Sequence, residues 1–264
     1  MSQLLSFLVL ALFQLTSAEF RPRSAKQGWD PNLHWVDTWA SMPQLTEFAN
    51  LPPPPFVSHG IFLFSFHYSN CMSLQNETNE VFFNSTIRQT IHTSIGANTI
   101  RIRISNAFGL NDLPITAVTV ALPDQGAAGV SAIQPKTLQT VTFSGNTSFT
   151  IPNGALAVSD PINFSIKPQS NLAITMYLAN GQQSNYITSH PGSRTNSYFS
   201  FGNYVHATNL TDPSTQTAAH WYQVLSHSTD SFANKWDFQV LPQCRRGPGT
   251  STIFFVCRSR RQYH

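Results

Sequence analysis

The most constraining feature of this sequence is a period-two alternation of apolar and polar residues in its middle part. Residues 99–104 read Thr-Ile-Arg-Ile-Arg-Ile, so an extended chain here has one apolar face and one polar face. This alternation predicts a half-buried β-strand with Arg101 and Arg103 on the solvated face. Other segments with strand character are residues 87–95, 115–122, 140–143 and 172–178.

Turn-forming residues separate these segments, at positions 105–112, 123–129 and 152–154. No stretch as long as an ordinary helix combines helical periodicity with capping residues. We therefore expect an all-β fold, an antiparallel β-sandwich or jelly-roll-like domain.

The charge distribution argues against nucleic-acid binding. Only 10% of the residues are charged, and the formal net charge is +3. Residues 240–264 contain no acidic residue but five arginines: Arg245, Arg246, Arg258, Arg260 and Arg261. Without these five, 10 of the 15 basic residues remain against 12 acidic residues, a net charge of −2. A body this close to neutral lacks the basic surface that nucleic acids require.

The N-terminal residues predict export from the cell. Residues 1–18 are uncharged, with an apolar run at 4–13 and the small residues Thr16-Ser17-Ala18 at the expected cleavage position. The run is too short to span a bilayer, so it predicts a secretory signal peptide and no membrane attachment after cleavage. Five N-x-Ser/Thr sequons agree with a secreted, extracellular glycoprotein: Asn76, Asn84, Asn146, Asn163 and Asn209.

The cysteines and histidines predict neither a disulfide scaffold nor a metal centre. Three cysteines (Cys71, Cys244 and Cys257) leave at least one without an intramolecular partner. No cysteine or histidine has zinc-site spacing, and we expect no metal and no cofactor. All three cysteines lie in two atypical segments. Residues 57–75 are aromatic and aperiodic, and the Arg-rich tail after Tyr222 loses strand patterning.

Seven short motifs lie between Trp35 and Tyr222. They are residues 35–41 (WVDTWAS), 85–90 (STIRQT), 101–109 (RIRISNAFG), 151–155 (IPNGA), 159–161 (SDP), 188–195 (TSHPGSRT) and 220–222 (HWY). With these motifs the chain resembles the β-rich N-terminal region of secreted SGNH (GDSL-type) acyl hydrolases, in the subgroup related to xylan-associated esterases. The resemblance implies that residues 19–222 form an accessory β-sandwich domain, which in the family precedes an α/β catalytic core.

The catalytic motifs of that family are absent from the sequence. The family uses a Gly-Asp-Ser nucleophile block, Gly and Asn oxyanion donors, and an Asp-x-x-His block, as any Ser–His–Asp hydrolase needs a nucleophile, a base and an orienting acid. Residues 109–112 (Gly-Leu-Asn-Asp) spell the family's Asn-bearing block but lie upstream of any nucleophile position, so we interpret them as a turn after a strand. We therefore expect no catalytic residue and no hydrolysis by this chain.

The two atypical segments have an explanation at the nucleotide level. Residues 57–75 begin with Val, encoded by GTN, and end with Gln, which has the codon CAG, so their coding sequence has the ends of an intron. Read one nucleotide later, with suitable codons, residues 256–264 encode a segment that contains Gly-Asp-Ser. We interpret residues 57–75 as an intron-derived insertion and residues 223–264 as a frameshifted basic tail.

Candidate contact residues lie in the motifs. His190 and Arg194 belong to a turn-rich segment, and we expect them to contact substrate or the domain interface, or to hold the turn. Trp35, Trp39 and Trp221 are candidates for a sugar-stacking platform or for core and interdomain packing.

Three interpretations of the whole chain remain open. The first is a non-catalytic fragment of an esterase whose intact relatives cleave acyl esters on plant polysaccharide. The second is a stand-alone secreted carbohydrate-binding β-sandwich module. The third is a chain that does not fold stably, because the accessory domain has lost the core against which it packs.

Overall fold

Strands account for about half of the chain that the computed structural model describes, residues 33–57 and 80–232. This part contains eighteen strands in five antiparallel sheets, and three short 3₁₀ helices, at Phe48–Asn50, Asp124–Gly126 and Pro135–Thr137. The predicted all-β fold is confirmed. Within the same residues no helix has the length and apolarity needed to cross a membrane.

The strands, in chain order, are β1 (Leu33–Ala40), β2 (Gln44–Leu45), β3 (Glu80–Val81), β4 (Ser85–Thr93), β5 (Ala97–Ser105), β6 (Leu113–Ile115), β7 (Ala117–Ala121), β8 (Gln139–Thr140), β9 (Phe149–Ile151), β10 (Leu156–Val158), β11 (Ile162–Ile166), β12 (Ser170–Leu178), β13 (Gln182–Gln183), β14 (Thr188–Pro191), β15 (Ser197–Phe201), β16 (Gln216–Ala218), β17 (His220–Tyr222) and β18 (Val224–Phe232).

Two larger sheets form a sandwich around one hydrophobic core. One sheet has the order β1-β18-β5-β10, with β11 also paired to β5, and the other has the order β16-β15-β4-β12-β7-β8. Ile100, Ile102 and Ile104 of the first sheet are fully buried in the same cluster as Ile87 and Ile174 of the second. Three small sheets, β13-β3, β17-β14-β2 and β6-β9, complete the described fold.

The predicted strands are present, with two local differences. β5 alternates as expected, and its isoleucines are buried while Arg101 and Arg103 are only partly buried. The predicted strand at 115–122 is divided into β6 and β7, because β6 pairs with β9 whereas β7 pairs with β12. Residues 140–143 form only the end of β8 and an isolated bridge at Phe143.

The tail after Tyr222 loses strand patterning in the sequence, yet it begins with a strand. β18 is a nine-residue strand that lies between β1 and β5 and pairs with both. Ser226, His227, Ser228 and Thr229 are all buried, so this strand lacks the apolar period that identifies β5. Residues 1–32, most of the 57–75 segment, and residues 233–264 lie outside the described part. The signal peptide and the cysteines therefore stay predictions, as does the frameshift for residues 233–264, whereas residues 224–232 of the predicted tail form β18.

The turn after β5 is organised by a buried amide. Asn106 donates from Nδ2 to the carbonyl oxygens of Asn111, Ile151 and Pro152 at 2.8, 3.1 and 3.2 Å. Its Oδ1 accepts a hydrogen bond from Gln182 Nε2 at 2.7 Å. A Cβ added at Gly109 would lie 1.9 Å from Asn106 Oδ1, so the tight approach requires glycine. The interpretation of residues 109–112 as a turn is confirmed.

A buried arginine joins the six-stranded sheet to two connecting segments. Arg88 is fully buried on β4, and its Nε donates to Thr175 Oγ1 at 2.9 Å. The guanidinium also donates to the backbone oxygens of Ser131, Tyr204 and Ala207, at 2.5, 3.3 and 2.8 Å. Burial lowers the pKa of Arg88 to about 10, which still leaves it charged at neutral pH. One side chain therefore satisfies three carbonyls that strand pairing leaves free.

Arg88→Met is expected to lower the free energy of unfolding by about 2–4 kcal/mol, because the carbonyls of Ser131 and Ala207 lose their donor inside the protein. Urea denaturation followed by tryptophan fluorescence measures the change. The matched control is Arg103→Met, which removes a partly exposed ion pair with Asp37. Its cost is expected to stay below about 1 kcal/mol. Equal losses in the two variants would contradict a structural role for the Arg88 contacts.

Candidate functional site: the aromatic–histidine cluster

Three rings from different strands meet at one end of the sandwich. Trp39 on β1, His190 on β14 and Trp221 on β17 form what we name the aromatic–histidine cluster. The centroids of the Trp39 and Trp221 rings are 4.9 Å apart with an edge-to-face angle of 82°. His190 stacks on Trp221 at 5.5 Å and 30°, because β14 and β17 pair with these two residues in register. Strand pairing thus brings together two motifs that are distant in sequence.

Hydrogen bonds fix the polar atoms of the cluster. Trp221 Nε1 donates to the carbonyl oxygen of Thr90 at 2.9 Å. His190 Nδ1 lies 2.8 Å from the carbonyl oxygen of Met42, a contact in which the ring nitrogen must donate. Trp39 and Trp221 are partly buried and pack against the main core. The cluster therefore links the short β17-β14-β2 sheet to both large sheets.

Hydrogen bonds join the turn that follows β14 to residues 219 and 220, which directly precede Trp221. Gly192 N donates to His220 Nδ1 at 2.9 Å, and Ser193 N donates to the carbonyl oxygen of Ala219 at 3.0 Å. Burial lowers the pKa of His220, which favours the neutral ring that can accept this bond. Arg194 is exposed at φ 57°. In the described part no hydrogen bond or ion pair joins Arg194 to His190, so the two predicted contact residues are neighbours in the chain with separate environments.

The third predicted tryptophan belongs to a different surface. Trp35 is 38% exposed on β1, and the guanidinium carbon of Arg101 lies 4.6 Å from its ring centroid. This cation–π contact occupies one face of the indole. Among the described residues no ring contact joins Trp35 to Trp39 or Trp221. The three tryptophans therefore do not form one platform.

Four of the five sequons lie in the described part, and their asparagines are all exposed: Asn84, Asn146, Asn163 and Asn209. Asn84 Oδ1 accepts a hydrogen bond from Tyr177, and Asn209 Oδ1 accepts one from Ser131. Neither bond involves the Nδ2 atom to which a glycan attaches. Asn76 lies outside the described residues.

An acid, a serine and a histidine occupy neighbouring positions on β1 and β18, but their geometry is not that of a hydrolase. Ser228 donates to Asp37 Oδ1 at 2.5 Å, and Arg103 contacts both oxygens of that carboxylate at 2.7 and 2.8 Å. His227 faces the opposite side of β18 and is fully buried, with no partner in the described residues for either ring nitrogen. Asp37 therefore orients no imidazole, and His227 receives no serine proton.

The described histidine rings that form hydrogen bonds do so with amide side chains and backbone groups. None of these bonds involves a serine hydroxyl. Within the described residues no group of three or more His, Cys, Asp or Glu side chains is arranged to hold a metal ion. The contacts of the aromatic–histidine cluster are ring packing and hydrogen bonds.

No protein-family model and no curated protein matches this chain. The resemblance to SGNH hydrolases accordingly stays a prediction.

Two features of the described part escaped the sequence analysis. His227 gave no sign of burial, because its neighbours Ser226 and Ser228 suggest a loop. Residues from several separate turns line a polar cleft beside residues 110–112. Turn residues at 105–112 and 152–154 and the Asn180-Gly181 dipeptide mark its turns in the sequence, but no sequence pattern indicates that these turns lie together.

His227 is expected to make stability depend on pH. Burial lowers its pKa to about 4, with Asp37 opposing the shift weakly. The unfolded chain, with an ordinary histidine pKa near 6.5, then binds the proton first as pH falls. This contribution is fully present above about pH 6.5 and is lost progressively toward pH 4, by about 3 kcal/mol.

The variant His227→Leu isolates that contribution. We expect the difference in unfolding free energy between the native chain and the variant to change with pH between 4.5 and 7, as measured by urea denaturation. Burying an apolar side chain in place of two unpartnered nitrogens should leave stability at pH 7 equal or higher. A difference that does not vary with pH would show that His227 is not buried as a neutral ring.

Proposed function

We propose that this chain is the accessory β-sandwich domain of a secreted SGNH-type acyl-ester hydrolase, and that it does not itself hydrolyse esters. One observation carries the proposal. Four motifs on which the resemblance rests supply Trp39, Thr90, His190 and Trp221, and all four residues meet in the aromatic–histidine cluster. We expect motifs that are distant in sequence to lie together in space when they belong to a single domain that was inherited as a unit.

The remaining parts of the proposal follow from that ancestry. The intact enzyme would act on acyl esters of plant polysaccharide through a serine nucleophile, with no metal. The chain would be extracellular, with exposed asparagines available for glycosylation. The hydrogen bonds of Asp37 and the position of His227 support a non-catalytic role, because the three residue types of a triad are present there without its geometry.

The flanks of residues 57–75 support the view that this segment is an insertion. Phe82 N donates to the carbonyl oxygen of Phe56 at 2.9 Å, and both rings are fully buried in the main core. The two flanks therefore lie side by side. Removal of the segment would leave residues 76–81 to connect Phe56 and Phe82, and a connection of that length is ordinary between paired segments.

Sequencing of the spliced transcript tests the ancestry directly. We expect a message that lacks the codons for residues 57–75 and continues from His220-Trp221-Tyr222 into an in-frame Gly-Asp-Ser. Such a message would encode a complete esterase with this β-domain at its N-terminal side. A message identical to the chain, codon for codon, would contradict both the insertion and the frameshift.

Hydrolysis of p-nitrophenyl acetate tests the absence of activity. The full chain and its Ser228→Ala variant are expected to release p-nitrophenolate at the same rate as buffer alone. The reason is that no described serine has an imidazole partner. The variant serves as the matched control for Ser228, whose hydroxyl contacts the Asp37 carboxylate. Saturable turnover that a serine-directed fluorophosphonate abolishes would show that the chain is an enzyme.

A further inference from the structure

A polar cleft of about 420 Å³ lies beside the turn that follows β5. Six charged or amide side chains line it: Glu80, Asn111, Asp112, Asn153, Asn180 and Gln183. It shares no residue with the aromatic–histidine cluster. Its volume falls in the range of small-molecule sites, and its lining has more charged and amide groups than such sites usually have, which favours a ligand with several polar groups.

The amide groups of the cleft are held in place by backbone carbonyls. Asn111 Nδ2 donates to the oxygen of Gln183, and Asn153 Nδ2 donates to the oxygen of Leu110, both at 3.2 Å. Asp112 Oδ1 accepts from Asn153 N at 3.3 Å. Each bond engages one atom of its side chain. The carbonyl oxygens of the two amides and Asp112 Oδ2 then remain as oriented acceptors without a partner in the described residues.

The scaffold behind these groups is rigid. Asn106, the buried amide of the β5 turn, binds Asn111 and Gln182, so both walls of the cleft share one anchor. Gly181 has φ 63°, and a Cβ there would lie 2.7 Å from the Val81 oxygen, which keeps the Asn180–Gln183 wall close to β3. Acceptors built on an anchored turn cost little ordering entropy when a ligand binds.

The chemistry of the lining selects the ligand class. Two carboxylates, Glu80 and Asp112, and no basic residue lie among the lining side chains, which disfavours phosphates, sulfates and acidic sugars. Asn180 and Gln183 are exposed amides whose side chains have no hydrogen bond in the described part, so each offers a donor and an acceptor. A hydroxyl group also donates and accepts at once. Leu110, 59% exposed at the rim, adds an apolar contact for carbon-bound hydrogens.

We propose that this cleft binds a short stretch of a neutral polysaccharide through its hydroxyl groups. The inference goes beyond the accessory-domain proposal and does not depend on it, because it rests on the lining of the cleft alone. It also differs from a tryptophan platform. Trp35, the most exposed of the three described tryptophans, is not among the residues that line the cleft.

Isothermal titration calorimetry with the full chain tests the proposal. The probes are xylohexaose, cellohexaose and mannohexaose, with trigalacturonic acid as the charged counterpart. We expect saturable binding of at least one neutral hexasaccharide and none of the acid. The cleft variant Asn180→Ala/Gln183→Ala should bind at least about tenfold more weakly, as the loss of two hydrogen bonds requires.

The matched control is Asn196→Ala/Gln216→Ala, which removes two exposed amides that are not among the lining residues and should bind within about twofold of the native chain. Thermal denaturation checks that both double variants are folded. Three results would overturn the proposal. They are no heat with any neutral hexasaccharide at millimolar concentration, equal binding by the two double variants, and loss of binding in Trp35→Ala alone. Saturable calcium binding that the cleft variant loses, without saccharide binding, would assign the cleft to a cation instead.

Discussion

Strand β18 connects β1 to the rest of the protein. It pairs with β1 at seven register positions and with β5 at five, and β1 has no other strand partner in the described residues. Trp39 stands at the end of β1, so its contact with Trp221 depends on this pairing. A second, smaller connection joins β1 to the segment after β4, where Ser94 donates two hydrogen bonds to Thr38 at 3.1 and 2.8 Å. The contact of Trp39 with Trp221 therefore depends on residues 224–232, whereas the stacking of His190 on Trp221 follows from the pairing of β14 with β17.

In this weakly charged protein, amide side chains and one arginine hold loops and strands in place through hydrogen bonds to backbone groups. Asn106 and Arg88 each satisfy several backbone carbonyls that no strand pairs. Gln89 does the same for Tyr222, since its Nε2 donates to the Tyr222 oxygen and its Oε1 accepts from the Tyr222 nitrogen. Because a buried polar group without a partner is costly, such side chains also specify which loop packs where.

The sequence predicts those parts of the fold whose residues alternate clearly. β5 and β12 were found because their buried faces carry Ile, Leu and Met. β18 was missed because Ser226, His227 and Thr229 are buried polar residues, and burial of that kind depends on neighbours that a single sequence does not reveal. The site shows the same limit. His190 was singled out from its motif, but its stacking on Trp221 follows from strand register, and the polar cleft is assembled from turns that are distant in sequence.

The edges of the two large sheets bear on how copies of this protein behave together in solution. The six-stranded sheet ends in β16 and β8, of three and two residues, and one side of the five-stranded sheet ends in β10 and β11, which Pro161 separates. The opposite edge, β1, is longer but bulged between Asp37 and Trp39. Short or irregular edges give a second molecule little backbone to pair with. With only 10% charged residues to supply repulsion between molecules, strand geometry rather than surface charge limits the aggregation of this domain.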